Sequence, residues 1–181
     1  MLSLILEETK EKMEKSIEAY KRDLATVRTG RANPTMLDRV MVMYWGEKTP
    51  LNQVAGISVV EGRQLLIKPY DRGTIRDIEH GIYEAELGLT PQNDGEVIRI
   101  NVPPLTEERR REYVKVAKKF AEEAKVALRN IRRSSNDDVA KAGLTEDEEK
   151  QGKEKVQKLT DEYVKKIDVL LKEKEDDLLK V

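Results

Sequence analysis

Arg111, Lys118, Lys125 and Arg132 follow one another at intervals of seven, and Arg129 and Arg133 fall beside the last of them. In a helix, ~100° per residue brings the four into a row, placed well away from the apolar stripe described below. The chemistry such a row offers is polyanion binding. The planar guanidinium fork grips phosphate oxygens in pairs and stacks on unpaired bases, which lysine does poorly, and Asn130 adds hydrogen bonds. Any one of these cations, taken alone, is better explained as a solvated charge paired with a neighbour such as Glu122, worth a few tenths of a kcal/mol. The local balance favours the row: from Arg109 to Arg133 ten Lys or Arg stand against three Glu, whereas the whole chain carries −1. Residues 1–30 have six cations and six anions. Positive charge concentrated on one stretch implies a bounded footprint, pointing to RNA rather than diffuse attraction. Arg28 extends the patch if the helices are antiparallel.

Other chemistry is missing. His80 is the one histidine, there is no cysteine, and no Cys/His cluster surrounds His80. Gly46, Gly56 and Gly62 are isolated turn residues rather than a phosphate loop, and no nucleophile has an attendant base. The carboxylates spread along solvated helix faces. Neither enzymatic activity nor a cofactor or metal is expected. Without cysteine, a membrane-length apolar run or a signal-peptide pattern, the setting is expected to be the reducing cytoplasm, with no membrane association.

The cationic stretch must sit on a long helix. Tyr113, Val116, Ala117, Phe120, Ala124, Ala127, Leu128 and Ile131 recur at spacings of three and four, one apolar stripe between Thr106 as N-cap and Gly143 as the stop. An earlier helix opens at Ser3 as N-cap, aligns Leu6, Thr9, Met13, Ile17, Tyr20, Leu24 and Val27, and ends at Gly30, with Pro34 forbidding resumption. A third begins at the Thr145/Glu148 capping box and aligns Val156, Leu159, Tyr163, Ile167, Leu170, Leu178 and Val181. Its polar first turns are expected to project beyond the core. Three single-striped helices have one simple solution, an antiparallel three-helix bundle, and ~36 residues at ~1.5 Å each make it a rod of ~54 Å.

Between the first two helices the periodicity changes. Val40–Trp45 is apolar on both alternating faces, as for a strand covered on both sides, and Ile57–Val60 with Gln64–Lys68 flank a Glu61-Gly62 hairpin turn. Residues 74–87 read as a short helix capped by Thr74 and stopped by Gly88. Residues 90–95 read as a loop, and Val97–Val102 as a strand. The fold class is therefore α+β: residues 1–30 and 105–181 form the bundle, and residues 31–104 an inserted small α/β, mostly β, domain. Two short crossings, at Gly30-Arg31 and Pro103-Pro104-Leu105, form a hinge of limited freedom. The expected shape is a rod with a side arm, and a helical adaptor or co-chaperone binding an acidic protein is the rival function. That rival gives no reason for a hinged module.

Several blocks stand in order along the whole chain: Val27 to Pro34, Tyr44-Trp45-Gly46 with Thr49-Pro50-Leu51, Leu87-Gly88-Leu89 with Pro91, Val102 to Arg110, Arg129 to Arg133, and Gln157-Lys158-Leu159-Thr160-Asp161. Together they resemble the ribosome recycling factors. The resemblance implies an L-shaped two-domain factor that binds ribosomal RNA of the large subunit after termination; the chain itself is expected to be a monomer. Elongation factor G, hydrolysing GTP in its own active site, then drives it to split the ribosome and free the mRNA. It further implies RNA contacts by Arg28, Arg110, Arg129 and Arg132, to which Arg133 is added as a neighbour. The hinge it implies comprises Gly30, Arg31, Pro103, Pro104 and Leu105. Trp45 departs from a common tyrosine, Glu86 from a shorter acidic residue, and Ser134-Ser135 from an acidic residue and alanine. The span from Arg133 to Thr145 is shorter by about one helical turn, which keeps the helix facing but trims the tip.

Overall fold

A computed structural model describes residues 1–180, so the place expected for Val181 on the third helix lies outside the described residues. The chain forms two compact units. One comprises Met1–Thr29 with the chain from Thr106 onward; the other is Gly30–Leu105. The breaks thus fall one residue outside the sequence-derived limits, and Gly30 and Leu105 both join the α/β unit.

The first unit is three long helices, α1 (Leu2–Ala25), α4 (Glu107–Lys141) and α5 (Glu146–Leu179). Thr9 of α1 meets Ser135 of α4, Glu14 meets Tyr163 of α5, and Lys125 of α4 meets Asp168 of α5. Hence α4 runs antiparallel to both of its neighbours. The main core gathers Met13, Ile17, Tyr20 and Leu24, Ala117, Ala121, Ala124 and Leu128, and Tyr163 and Ile167. Alanines on α4 let the other two helices approach, so Ala121 matters as much as the larger residues the periodicity selects. Val116 is 38% exposed and lies outside this core.

A second cluster, Ile5, Val139 and Val156 with Leu2, Leu6, Ala142 and Leu144, carries the core on to the α4–α5 turn. The first turns of α5 therefore do not project free of the core. Gly152 is buried there, where an added Cβ would stand 2.8 Å from Leu2 Cδ1 and 3.0 Å from Val139 Cγ1. Side-chain caps set the helix starts as expected: Thr106 Oγ1 accepts from Arg109 N, and Thr145 Oγ1 from Glu148 N. Gly143, at φ +70, supplies the left-handed residue after α4.

The beginning and end of α1 differ from expectation. Met1, not Ser3, precedes its first turn, without a side-chain cap. It ends at Ala25 rather than near Gly30, because the Thr26 hydroxyl donates back to Asp23 O at 2.6 Å and tightens the last turn. Gly30 is left-handed, φ +77, but five residues beyond the helix.

The second unit has a hairpin, β1 (Met41–Tyr44) with β2 (Glu47–Pro50), and a short α2 (Leu51–Val54). A four-stranded antiparallel sheet of β3 (Ala55–Val60), β4 (Gln64–Pro69), β5 (Pro91–Asn93) and β6 (Ile98–Asn101) has the order β3-β4-β6-β5, and α3 (Ile75–Glu84) completes the unit. Its core includes Val40, Val42, Leu65, Ile67, Ile78, Ile82, Ile98 and Ile100. Three expectations need correction. The first concerns β1, which is not covered on both sides: Val42 is buried while Met41 and Met43 are about half exposed. In α3, Thr74 is no side-chain cap. A preceding 3-10 turn, in which Asp71 accepts from Gly73 N, starts the helix instead, and left-handed Glu86 (φ 50) follows its early end. Lastly, residues 91–93, read as loop, form β5 by pairing with β6.

Candidate nucleic-acid interface

Each candidate cation on α4 is placed by the bundle's periodicity. Its seam residues are 117, 124 and 131 together with 121, 128 and 135, and the seven-spaced row follows one residue after the first set. At 100° per residue that row lies ~80° from the middle of the seam, in the flank where α5 approaches. It therefore does not stand well clear of the packed face. Arg111 Nη2 holds Glu107 Oε1 at 2.8 Å. Lys125, with a side chain only 20% exposed, holds Asp168 Oδ1 of α5 at 2.8 Å. Half-buried Arg132 donates from Nη1 to Gln157 Oε1 at 3.2 Å, and Gln157 Nε2 donates to Asp161 Oδ1 at 2.9 Å.

The face that does point outward is the ridge of Lys115, Lys119, Glu122, Val126, Arg129 and Arg133, at alternating steps of four and three, all exposed. Asn130 stands beside it, also exposed. Lys115 and Lys119 are detectable in the sequence, because they continue the i, i+3, i+4 series back from Arg133. The seven-residue interval points to the flanking row instead. Gln157, Asp161 and Asp168 likewise escape the sequence reading as partners, although Gln157 and Asp161 share one face of their helix by spacing.

The remaining candidates lie elsewhere on the bundle. Half-buried Arg110 precedes Arg129 by nineteen residues, so ~28 Å of helix separates them. Arg28 is exposed, three residues beyond the end of α1. Antiparallel packing puts that end of α1 beside the start of α4, so Arg28 belongs with Arg110 rather than with the Arg129 group. The five arginines are thus two groups, not one patch.

In the α/β unit the hinge candidates start from one turn. Ala32 N donates to Gly62 O at 2.9 Å and Val102 N to Arg63 O at 2.8 Å. A Cβ on Gly30 would meet Leu105 N at 3.1 Å, so the two backbone segments run in contact. His80 pairs with Glu84 across one turn of α3, both exposed. Among the described residues no group of three or more His, Cys, Asp or Glu is placed to hold a metal, and no helix is long and apolar enough to cross a membrane.

Fold and site together define a class: a helical-bundle protein with a cationic outer ridge and an inserted α/β unit. The chain belongs to the ribosome recycling factor family, whose family model matches residues 20–179. It is 59% identical to the ribosome-recycling factor of Bacillus subtilis, with 98% of each chain covered. It is 56% identical to that of Bacillus licheniformis, with each chain covered in full. The solution structure of a ribosome recycling factor superposes with a TM-score of 0.81 at 41% identity, covering 99% of this chain and 98% of that one. The T. thermophilus ribosome recycling factor, in a structure that places it with the E. coli elongation factor G on the E. coli post-termination complex, matches with a TM-score of 0.66 at 41% identity, over 99% of this chain and all of that one.

Proposed function

We propose that this chain is a ribosome recycling factor. It binds the large subunit of the post-termination ribosome through ribosomal RNA and, with elongation factor G and GTP, splits the ribosome and frees the mRNA. It works as a monomer in the cytoplasm and performs no catalysis of its own, the GTP chemistry belonging to the elongation factor. The observation that carries the RNA reading is the exposed ridge of α4, where Lys115, Lys119, Arg129 and Arg133 face solvent on a protein of net charge −1. Arg129, Arg132 and Arg133 make one contact region, and Arg28 with Arg110 a second at the other end of the bundle. The division of the chain into two units supports the use of Gly30, Arg31, Pro103, Pro104 and Leu105 as a hinge.

The test measures binding to isolated large subunits across a salt series, together with light scattering of post-termination ribosomes with this protein, elongation factor G and GTP. Replacing both Arg129 and Arg133 with alanine should lower the salt slope by about 2, one released counterion per lost phosphate contact, and leave thermal melting unchanged. An unchanged slope would remove the ridge from the interface. Splitting that persists when the protein is omitted, or binding to acidic peptide in preference to ribosomal RNA, would overturn the function.

A further inference from the structure

The block from Gln157 to Asp161 lies on α5, away from the cationic ridge, and the helix divides it in two. Thr160 is buried, its hydroxyl donating to Val156 O at 2.8 Å, and half-buried Leu159 packs against the main core. These two residues serve the bundle. Gln157 and Asp161, four apart and exposed, have no place in that packing. They form instead a chain of hydrogen bonds, Arg132 Nη1 to Gln157 Oε1 and Gln157 Nε2 to Asp161 Oδ1.

The choice of partner matters more than the number of bonds. Lys125 stands one heptad before Arg132 in the same row and meets a carboxylate, Asp168, which neutralises it. Arg132 meets an amide. A neutral acceptor fixes one edge of the guanidinium while leaving its positive charge uncompensated for an external phosphate. An amide alone would not suffice, because it can turn over and present NH2 to the arginine. Asp161 accepts only, so it holds the NH2 of Gln157 on its own side and the carbonyl toward Arg132.

We infer that Gln157 and Asp161 are positioning residues for Arg132, orienting its guanidinium for a phosphate or base of ribosomal RNA without neutralising it. The inference rests on the RNA reading above. Asp161→Asn is nearly isosteric but lets the amide of Gln157 turn over. Gln157→Glu keeps the contact and adds a neutralising charge. Each should weaken binding to isolated large subunits by about three- to tenfold, the worth of one hydrogen bond. Gln157→Glu should also lower the salt slope by about 1. Thermal melting should stay at the wild-type value for both, and neither should weaken binding further once Arg132 is alanine. If Arg132→Ala binds as wild type, the RNA role of Arg132 itself falls. Where Arg132→Ala weakens binding but Asp161→Asn and Gln157→Glu do not, the positioning role alone is overturned. It is equally overturned if the two variants melt lower and weaken binding in the Arg132→Ala background as well.

Discussion

At the scale of single residues, Tyr20 shows how a bundle core can carry an uncompensated polar atom. Its ring is 1% exposed, and its hydroxyl is buried with no hydrogen-bond partner among the described residues. Burial pushes its pKa up to about 12, with Asp168 and Glu175 adding to the effect. Tyr163 is also pushed up to about 12, by burial and by its hydrogen bond to Glu14. In the folded state both phenols hold their protons more tightly than in the unfolded chain, whose value is near 10. Their contribution is therefore fully present below pH 10 and is lost as pH rises from there toward 12. Tyr20→Phe removes the unpaired hydroxyl and the titration together. It should leave stability at pH 7 unchanged or raise it by about 1 kcal/mol, and make the alkaline decline shallower. Urea unfolding followed by helical circular dichroism between pH 7 and 12 tests this, and a steeper decline in the variant would contradict it. Ser135 has the opposite lesson. Standing where the family resemblance leads one to expect alanine, it is buried and hydrogen-bonded to Thr9 at 2.6 Å, so α4 gains a bond to α1.

At the scale of elements, what is legible in the sequence is whatever depends on near neighbours. Thr106 and Thr145 cap the helices they precede because the groups they satisfy lie three residues on. Sequence periodicity also identifies most of the main bundle core, Ala117 and Ala124 included, but it passes over Ala121, which is indistinguishable by type from an exposed alanine. The cationic row misleads for a related reason: seven residues are not two full turns, and only the approach of α5 decides which flank is covered. Partner identity across helices, such as Asp168 for Lys125, has no local sequence signal at all. Gly81 is the clearest case of a distant cause. Inside α3 it reads as a helix flaw, costing ~1 kcal/mol against alanine. In the structure a Cβ there would collide with the Met41 carbonyl oxygen of β1, so the glycine is what lets helix and strand touch. Gly81→Ala should therefore destabilise the α/β unit by about 1–3 kcal/mol despite its better helix propensity. Thermal unfolding checks the sign, and a stabilised variant would show that α3 can shift off β1 without cost.

At the scale of the whole molecule, the proposed hinge requires that joining segments can be altered without harming either core. Neither core contains Gly30, Arg31, Pro103, Pro104 or Leu105; the α/β core runs from Ala32 to Val102, and the bundle clusters lie wholly within α1, α4 and α5 with the turn between the last two. The inner ends of both segments are held by the turn at Gly62 and Arg63, which confines free torsions to the few residues beyond. Gly30 has φ +77, which proline, fixed near −65°, cannot adopt. Gly30→Pro must then redirect the first crossing where it runs against Leu105. Both units should melt as in the wild type, and binding to isolated large subunits should persist, because the proposed contacts of α4 are untouched. Subunit splitting with elongation factor G and GTP should fall by roughly tenfold or more, as expected when a hinge rather than a binding group is changed. Stopped-flow light scattering measures that rate. Splitting at the wild-type rate would mean that force reaches the ribosome without torsion at Gly30, leaving the proline-bearing crossing as the place where movement occurs.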